Sequence, residues 1–397
     1  MKKALYGTTA LVSMALVSGT VAADEKMKVG IAGYHQQWVT YTQEENNCAA
    51  FGACANNTTP KLTGFDVKTN SEVWFKGSKK LDNGITVGID VQLEGLSQGD
   101  GDTIDEQYLY VQSDSLGKLI LGDENNAAYL LHSWPTNGGV SVSSGDVINV
   151  AAYRAPRGTS RRTGGGVGNL ASYYNTALGT VAPRVTENDT TKITYLSPVF
   201  AGFQAGVSYW PEGTQDDNGR MSRLDTTHDG FAFGAKYAGK FSGVGIGASY
   251  GYVASGTVPG NSAMFVARGI DEDVEQHSIG LKVSVAGFTG TANYSVVNDG
   301  LLTSMTTYDS SSWTISGSYK TGPYTVGVQW FSGEAEDNVV NPADDEHDVL
   351  MISGGYQLGA GVRLVAGFYT FNDNDERAAS AAQNDGWGLM MGVKTSF

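Results

Sequence analysis

The chain has 397 residues and a formal charge of −15, with 41 acidic residues against 26 basic ones. This balance argues against a nucleic-acid partner, because phosphate binding requires a basic face. Glycine is abundant, at 53 residues, and neither a linker nor a change of composition divides the chain into domains.

The first 23 residues are typical of a secretory signal peptide. A basic start, MKK, precedes a mostly apolar stretch from Ala10 to Val17, and Val21-Ala22-Ala23 forms a small-residue cleavage site. That stretch is too short for a transmembrane helix, and no later run of about 18 apolar residues occurs. We expect cleavage after Ala23. Since the leader carries two lysines and no acids, the charge then falls from −15 to −17.

Beyond residue 23, apolar and polar residues alternate in sixteen segments, which predicts sixteen β-strands. The predicted strands are 27–41, 65–80, 83–95, 104–113, 117–123, 190–197, 202–210, 229–238, 243–253, 274–286, 288–298, 309–320, 323–333, 347–358, 361–371 and 386–397. The fifth, LGKLILG, alternates least clearly. All nine prolines fall in predicted turns, loops or a strand's last position, as a sheet requires, because proline has no N–H to donate.

The connections between these segments alternate in length. The short ones are 81–84, 113–117, 197–202, 239–243, 286–287, 321–322 and 358–361, and the long ones are 42–64, 96–103, 124–189, 211–228, 254–273, 299–308, 334–346 and 372–385. Short turns on one rim and long loops on the other are typical of outer-membrane barrels, with both chain ends on the periplasmic side. Loop 124–189 is by far the longest, and structureless loops of such length are usually functional.

The two faces of the segments differ in polarity. In segment 274–286, Ile279 and Leu281 share a face with further aliphatic residues, while Ser278 and Lys282 share the other. Aromatic residues near strand ends are typical of girdles at a lipid boundary: Trp38, Trp74, Tyr209, Tyr237, Tyr252, Trp313, Trp330 and Trp387. We therefore predict that residues 24–397 form one all-β unit, a transmembrane antiparallel up-and-down barrel of 16 strands with a water-filled lumen. The predicted lumen-facing residues are Glu72, Asp90, Glu94, Lys192, Lys236, Lys282, Lys320 and Arg363.

Several stretches resemble the Gram-negative trimeric outer-membrane porins, and the resemblance spans essentially the whole mature chain. They are YLSPVFAGFQAGVSY at 195–209, LDNGITVGID at 81–90, SLGKLILG at 115–122 and the terminal Phe397. The resemblance implies a homotrimer in the outer membrane that passes small hydrophilic solutes by diffusion. It also implies that Phe397 is the insertion signal read by the barrel-assembly machinery, and that loop 124–189 folds into the lumen as the pore constriction.

The resemblance further implies that acids on this loop face basic residues on the wall across the constriction. The loop offers Asp123, Glu124, Asp146, Glu187 and Asp189, and the inward face of the early strands offers Lys28, Lys76 and Lys80. Glu124 and Asp146 opposite Lys76 are the expected pair. The arginines lie in the loop itself, at Arg154, Arg157, Arg161, Arg162 and Arg184, where they either line the pore or form local ion pairs in solvent.

Cysteines and acid clusters give two further expectations. Cys48 and Cys54 predict a small-loop disulfide in an oxidising compartment. Acid clusters in the predicted external loops, such as Asp100, Asp102 and Asp105, offer oxygen ligands for Ca²⁺ or Mg²⁺, which would also bridge to lipopolysaccharide phosphates. Plain solvation of an external rim is the alternative for these clusters. Diffusion requires no cofactor.

Three other functions compete with a diffusion porin. An outer-membrane enzyme would need a catalytic constellation, but the five histidines (His35, His132, His228, His277 and His347) accompany no nucleophile motif such as G-x-S-x-G. A substrate-specific channel would need an aromatic or basic track, which Trp134, Tyr173 and Tyr174 would only begin. An adhesin is the remaining alternative. The sequence favours a non-enzymatic diffusion porin, and the mature charge favours a weak preference for cations.

Overall fold

The structure is a computed structural model that describes residues 26–44, 64–95, 104–142, 183, 189–213, 228–256, 274–298, 310–338, 341–375 and 384–397. The predictions about several residues therefore lie outside the described ranges and stay predictions. These are the signal peptide 1–23, Cys48, Cys54, Asp100, Asp102, Asp146, Arg154, Arg157, Arg161, Arg162, Tyr173, Tyr174, Arg184 and Glu187.

Strands make up almost all of the described chain. They are β1 (Lys28–Glu44), β2 (Phe65–Lys80), β3 (Thr86–Glu94), β4 (Ile104–Ser113), β5 (Gly117–Asp123), β6 (Thr191–Leu196), β7 (Phe203–Glu212), β8 (His228–Phe241), β9 (Val244–Gly256), β10 (Val274–Val285), β11 (Phe288–Asn298), β12 (Ser310–Thr321), β13 (Tyr324–Asn338), β14 (Asn341–Gly359), β15 (Val362–Asp375) and β16 (Asn384–Ser396). A single short helix, α1 (Ala127–Leu130), follows β5 among the described elements. Within the described ranges, no helix is long and apolar enough to cross a membrane.

The sixteen strands form a closed antiparallel barrel in which each strand pairs with its neighbours in the chain and β16 pairs with β1. The backbone of Gly33 and that of Phe397 exchange two hydrogen bonds of 3.1 Å at this closure. Closure leaves no open sheet edge, which is the condition for strands to exist in a bilayer. The predicted 16-stranded barrel is confirmed, including β5, where the alternation was weakest.

One predicted loop proves to be mostly strand. Residues 334–346 read as a long connection, but β13 and β14 keep pairing until Asn338 and Asn341. The acids in this stretch suggested a loop, and cross-strand pairing overrides that local preference.

The faces of the strands follow the predicted alternation. In β10, Ile279, Leu281 and Val283 are 46 to 50 % exposed on the outer surface, while Ser278 on the opposite face is buried. Of the aromatic residues assigned to the girdles, Trp330 and Tyr209 face outward, as Trp387, Tyr237, Tyr252 and Trp313 do by the register of their strands.

Two of the assigned girdle residues, Trp38 and Trp74, instead face the interior. Trp38 is fully buried and its Nε1 donates to Gln36 Oε1. Trp74 donates to Glu72 Oε2 at 2.8 Å. Both occupy inward positions of the alternation, so the girdle assignment was wrong for these two residues.

Candidate functional site

The inner face of the barrel carries the charged residues that were predicted for the lumen. Strand register places all eight on inward positions: Glu72, Asp90, Glu94, Lys192, Lys236, Lys282, Lys320 and Arg363. Lys76 also faces inward, next to Asp90, and the two form an ion pair of 2.7 Å. The interior is therefore polar and charged around most of its circumference.

The described beginning of the long loop, residues 124–142, lies against this inner face; we call it the wall segment. It starts with α1, where the Asn126 side chain accepts a hydrogen bond from Tyr129 N. Ala127 N donates to Ser208 Oγ on β7 at 2.8 Å. Beneath the helix, a Cβ on Gly234 of β8 would lie 2.4 Å from Ala127 O, so only glycine permits this close approach.

The middle of the wall segment is held by short polar side chains of the wall. Ser133 N donates to Ser249 Oγ on β9 at 2.8 Å, and Asn293 Nδ2 on β11 donates to Ser133 O. Thr136 N donates to Ser316 Oγ on β12 at 3.1 Å. These hydroxyl and amide groups satisfy backbone groups that would otherwise be buried without a partner.

The end of the wall segment contacts β13, β14 and β15, strands near the C-terminal end of the chain. Gly138 N donates to Ser353 Oγ on β14 at 3.0 Å, and Arg363 Nη2 on β15 donates to Gly138 O at 2.8 Å. Val142 N donates to Gln329 Oε1 on β13 at 2.8 Å. Twelve residues of the loop, from Ala127 to Gly138, thus cross the inner face from β7 to β15.

An apolar patch anchors this end of the wall segment. Val140 and Val142 are fully buried against inward-facing residues of β1 and β13 to β16: Trp38, Phe331, Val349, Met351, Val365, Tyr369, Phe371 and Met390. Sequence analysis assigned a hydrated inner face and missed this patch. The signal was present in Val349-Leu350-Met351-Ile352, where both faces of the strand are apolar and the alternation fails.

At the root of the loop, three carboxyl groups lie together. Oxygen atoms of Glu106, Glu124 and Asp189 are all within 4.8 Å of one another. Asn125 Nδ2 donates to Glu106 Oε1 at 2.9 Å. The buried Lys192 Nζ donates to the backbone oxygens of Glu124 and Thr190. Lys192 therefore brings a positive charge to a cluster of three acids.

Two members of the expected constriction pair lie among the described residues and have other recorded neighbours. Glu124 is buried in the acid cluster, whereas Lys76 pairs with Asp90 across β2 and β3. Asp123 is also buried and accepts a hydrogen bond from Thr191 Oγ1. The expected pairing of Glu124 and Asp146 with Lys76 stays a prediction, because Asp146 lies outside the described residues. Glu106 belongs to the acid cluster of Asp100, Asp102 and Asp105 that sequence analysis assigned to an external loop, and the pairing of β4 with β5 brings it to the site.

A second group of three acids lies on β2, β3 and β4, near the external rim. Asp105, one of the predicted calcium ligands, has a carboxyl oxygen within 4.8 Å of oxygens of Glu72 and Glu94. Glu72 also accepts hydrogen bonds from Tyr34 Oη at 2.6 Å and from Trp74 Nε1. Carboxylate oxygens are the ligands that Ca²⁺ and Mg²⁺ prefer, and the prediction of a divalent cation at Asp105 stays a prediction.

His132 is the buried titratable group of the wall segment. Asn293 Nδ2 contacts His132 Nε2 at 3.2 Å and also donates to Ser133 O, which fixes the amide nitrogen on this side. His132 Nε2 is therefore the unprotonated acceptor. Burial, and secondarily the nearby positive charge of Lys236, lowers the pKa of His132 from 6.5 to about 3.

Acidification is expected to loosen the wall segment through His132. Because its folded pKa lies below its unfolded value of 6.5, the stabilisation by neutral His132 is complete above pH 6.5 and is lost as the pH falls toward 3. At about pH 5 the loss is on the order of 2 kcal/mol for attachment of the segment. Single-channel recordings between about pH 7 and pH 5 should show added closures. His132→Gln should remove that pH dependence, and its persistence in this variant would assign it to another group.

The comparisons agree with this architecture. The sequence profile of the Gram-negative porin family matches residues 7–377. No curated protein matches the chain.

Solved structures of similar fold include the anion-selective porin from Comamonas acidovorans, at 14% identity and a TM-score of 0.60 over 94% of this chain and 100% of that chain. They also include Salmonella typhi OmpF in complex with daunomycin, at 12% identity and 0.59 over 94% and 98%. Vibrio cholerae OmpT in its trimer form matches at 11% identity and 0.54 over 93% and 99%. At such identities the structures support the fold alone. Since the family profile covers nearly the whole sequence, the chain belongs to the Gram-negative porin family.

Proposed function

We propose that this chain is a general diffusion porin, a water-filled outer-membrane channel that passes ions and small hydrophilic solutes down their gradients. The observation that carries the proposal is the difference in polarity between the outer and inner faces of the closed barrel. The outer face exposes aliphatic side chains such as Leu281 and Ile352, while the inner face carries ionisable groups such as Glu72, Lys236 and Lys320. A sixteen-stranded barrel is too wide to be filled by its own side chains.

The wall segment supports a role as part of the constriction. It covers the inner face from β7 to β15 and so narrows the lumen from that side. The inward faces of β2 to β4 carry the acids Glu72, Glu94 and Glu106, of which Glu106 accepts a hydrogen bond from Asn125 of the wall segment. Acids beside the passage support a weak cation preference, because charged rings set the selectivity of a pore.

Two observations support a homotrimer. The outer face of β1 and β2 carries polar side chains in mid-strand, including His35, Gln37 and Thr69. Gln37 and Thr69 form a hydrogen bond of 3.2 Å there. Such a surface suits a protein neighbour better than lipid, since hydrocarbon offers polar groups no partner. The similar Vibrio cholerae protein has been solved as a trimer.

The remaining proposed partners follow from position. The Phe397 side chain is 57% exposed on the outer surface, where the assembly machinery would reach it. Acidic external loops would contact lipopolysaccharide through Ca²⁺ or Mg²⁺. An enzymatic role finds no support among the described residues, because the five histidines do not share one face: His35 and His277 point outward, His132 lies in the wall segment, His347 lies on β14, and His228 lies beside Asp229 at the start of β8.

Single-channel recording tests the proposed function. Purified mature protein in a planar bilayer should give large current steps, and the three channels of a trimer should close one after another. In a salt gradient, the reversal potential should have the sign expected when cations are more permeant than anions. Folded protein that passes no current would contradict the diffusion channel and favour the adhesin or enzyme alternatives. A reversal potential of the opposite sign would contradict the cation preference alone.

A further inference from the structure

Basic side chains on the inner face concentrate at one end of the barrel. The rim of short turns, which includes the turn between β2 and β3, is here called the periplasmic rim. Inward-facing basic residues lie within five residues of that rim on most of the described strands. Six of them, each on a different strand, are here called the basic collar: Lys118, Lys236, Lys282, Lys320, Arg363 and Lys394. None of the six is buried, so all reach the water of the lumen.

Two further lysines continue the basic collar. Lys28 is the first residue of β1 and Lys80 the last residue of β2, and both face inward at the same rim. Among the described strands, Asp90 is the inward-facing acid within five residues of the rim, and it pairs with Lys76. Asp82 and Asp114 lie in the turns beyond the strands. The described inner face is therefore net positive at this end.

The external half of the same face has the opposite sign. Inward-facing acids lie seven or more residues from the periplasmic rim at Asp66, Glu72, Glu94, Glu106 and Glu212. Among the described strands, Lys68 is the base that faces inward in this half, and it forms an ion pair with Asp66 at 2.8 Å. Lys192 lies four residues from the end of β6 at the periplasmic rim; it is buried and binds the backbone oxygen of Glu124 beside the acid cluster.

We propose that the lumen is bipolar, with a cation-rich external half and an anion-rich periplasmic half, and that the pore therefore rectifies ionic current. This inference rests on the proposed function, since only a conducting pore can rectify. Fixed charges of one sign in a narrow water-filled space attract mobile ions of the other sign. The external half then conducts mainly through cations and the periplasmic half mainly through anions.

The direction of rectification follows from this arrangement. When the external side is positive, cations from the acidic half and anions from the basic collar both move toward the middle of the pore. Carriers accumulate there and the conductance is high. When the polarity reverses, both kinds of ion leave the middle of the pore and the conductance falls. The basic collar should also bind small polyanions that enter from the periplasmic side.

Single-channel recording in symmetric KCl tests the inference. At about 0.1 M, where the Debye length is about 10 Å, the currents at the two polarities should differ by about 1.5-fold or more. At about 1 M, where the Debye length is about 3 Å, the ratio should approach one. Tripolyphosphate should block at lower concentration from one side. That side must be the chamber that is negative in the high-conductance polarity, whichever way the channel has inserted.

Variants separate the collar from other sources of asymmetry. The triple variant Lys236→Gln/Lys282→Gln/Lys320→Gln should bring the current ratio toward one at low salt and weaken the block by tripolyphosphate. The neighbouring residues Lys79 and Lys80 give a matched pair, because Lys80 faces inward and Lys79 outward at the same rim. Lys80→Gln should reduce the ratio, and Lys79→Gln, which removes the same charge from the other side of the wall, should not.

Each outcome bears on a different proposal. Equal currents at low salt, or a ratio that the triple variant leaves unchanged, would overturn the bipolar lumen while leaving the diffusion porin in place. Blocking by tripolyphosphate from the side opposite to the one stated would also overturn it. An absence of any current from folded protein would overturn the proposed function and, with it, the rectifying pore, because a barrel that does not conduct cannot rectify.

Discussion

Replacing Gly138 by alanine is expected to lower the single-channel conductance by about a third and to add brief closures. A Cβ at this position would lie 2.0 Å from Ser353 O and 2.5 Å from Gly327 N, both of which are backbone atoms. Two strands of the barrel wall therefore leave no room for the added methyl group. The wall segment can move only toward the lumen, where it narrows the water-filled path.

The control for Gly138→Ala is Gly247→Ala. Gly247 also faces inward, but a Cβ there would meet its nearest neighbour, Lys282 Cβ, at the ordinary distance of 3.4 Å. This variant should conduct like the parent protein. Planar-bilayer recordings should compare the single-channel conductance of the parent protein, Gly138→Ala and Gly247→Ala. An unchanged conductance in Gly138→Ala would show that this part of the wall segment does not border the conducting path.

Replacing Lys192 by methionine is expected to destabilise the barrel by about 3–5 kcal/mol, because it leaves buried carboxyl groups without this cation. Lys192 is 3% exposed and lies at the root of the loop beside Glu124, where the oxygens of Glu106 and Asp189 also meet. Methionine keeps most of the aliphatic stem, so the loss is chiefly electrostatic. Denaturant titration in detergent, followed by tryptophan fluorescence, would give the free energy of unfolding.

Lys282→Met provides the comparison for Lys192→Met. Lys282 also faces inward, on β10, but its side chain is half-buried and reaches the lumen. Its loss should cost less than about 1 kcal/mol. Acid should restore part of the stability of Lys192→Met, because protonation removes the repulsion among the carboxyl groups. Equal destabilisation of both variants, or no recovery in acid, would contradict this account.

Much of the barrel follows from local pattern. Alternation in segments such as 274–286 indicates both the strand and the face that meets lipid, because successive side chains of a strand point to opposite sides. Chain neighbours pair throughout, so the order of strands follows from the order of segments. The weak alternation of β5 did not matter, since β4 and β6 pair with it from both sides.

The inner surface was only partly predictable. The position of Lys282 or Glu72 on the inward face follows from parity alone. The interior positions of Trp38 and Trp74 did not, because an aromatic residue near a strand end suits a girdle as well as a core. The apolar residues on inward positions of β14, such as Val349 and Met351, are explained only by the structure, in which Val140 and Val142 pack against them.

The sixteen strands, their order and the two faces of the wall could be predicted from the amino-acid sequence, because a strand's period and its pairing with the next strand are properties of short stretches. The course of the wall segment and the cluster at its root could be seen only in three dimensions. Arg363 bonds to Gly138 across 225 residues of chain, and Glu106 meets Glu124 and Asp189 only when β4, β5 and β6 pair and bring the two ends of the loop together. Such contacts depend on the complementarity of distant surfaces in three dimensions, which no periodicity in a single segment encodes.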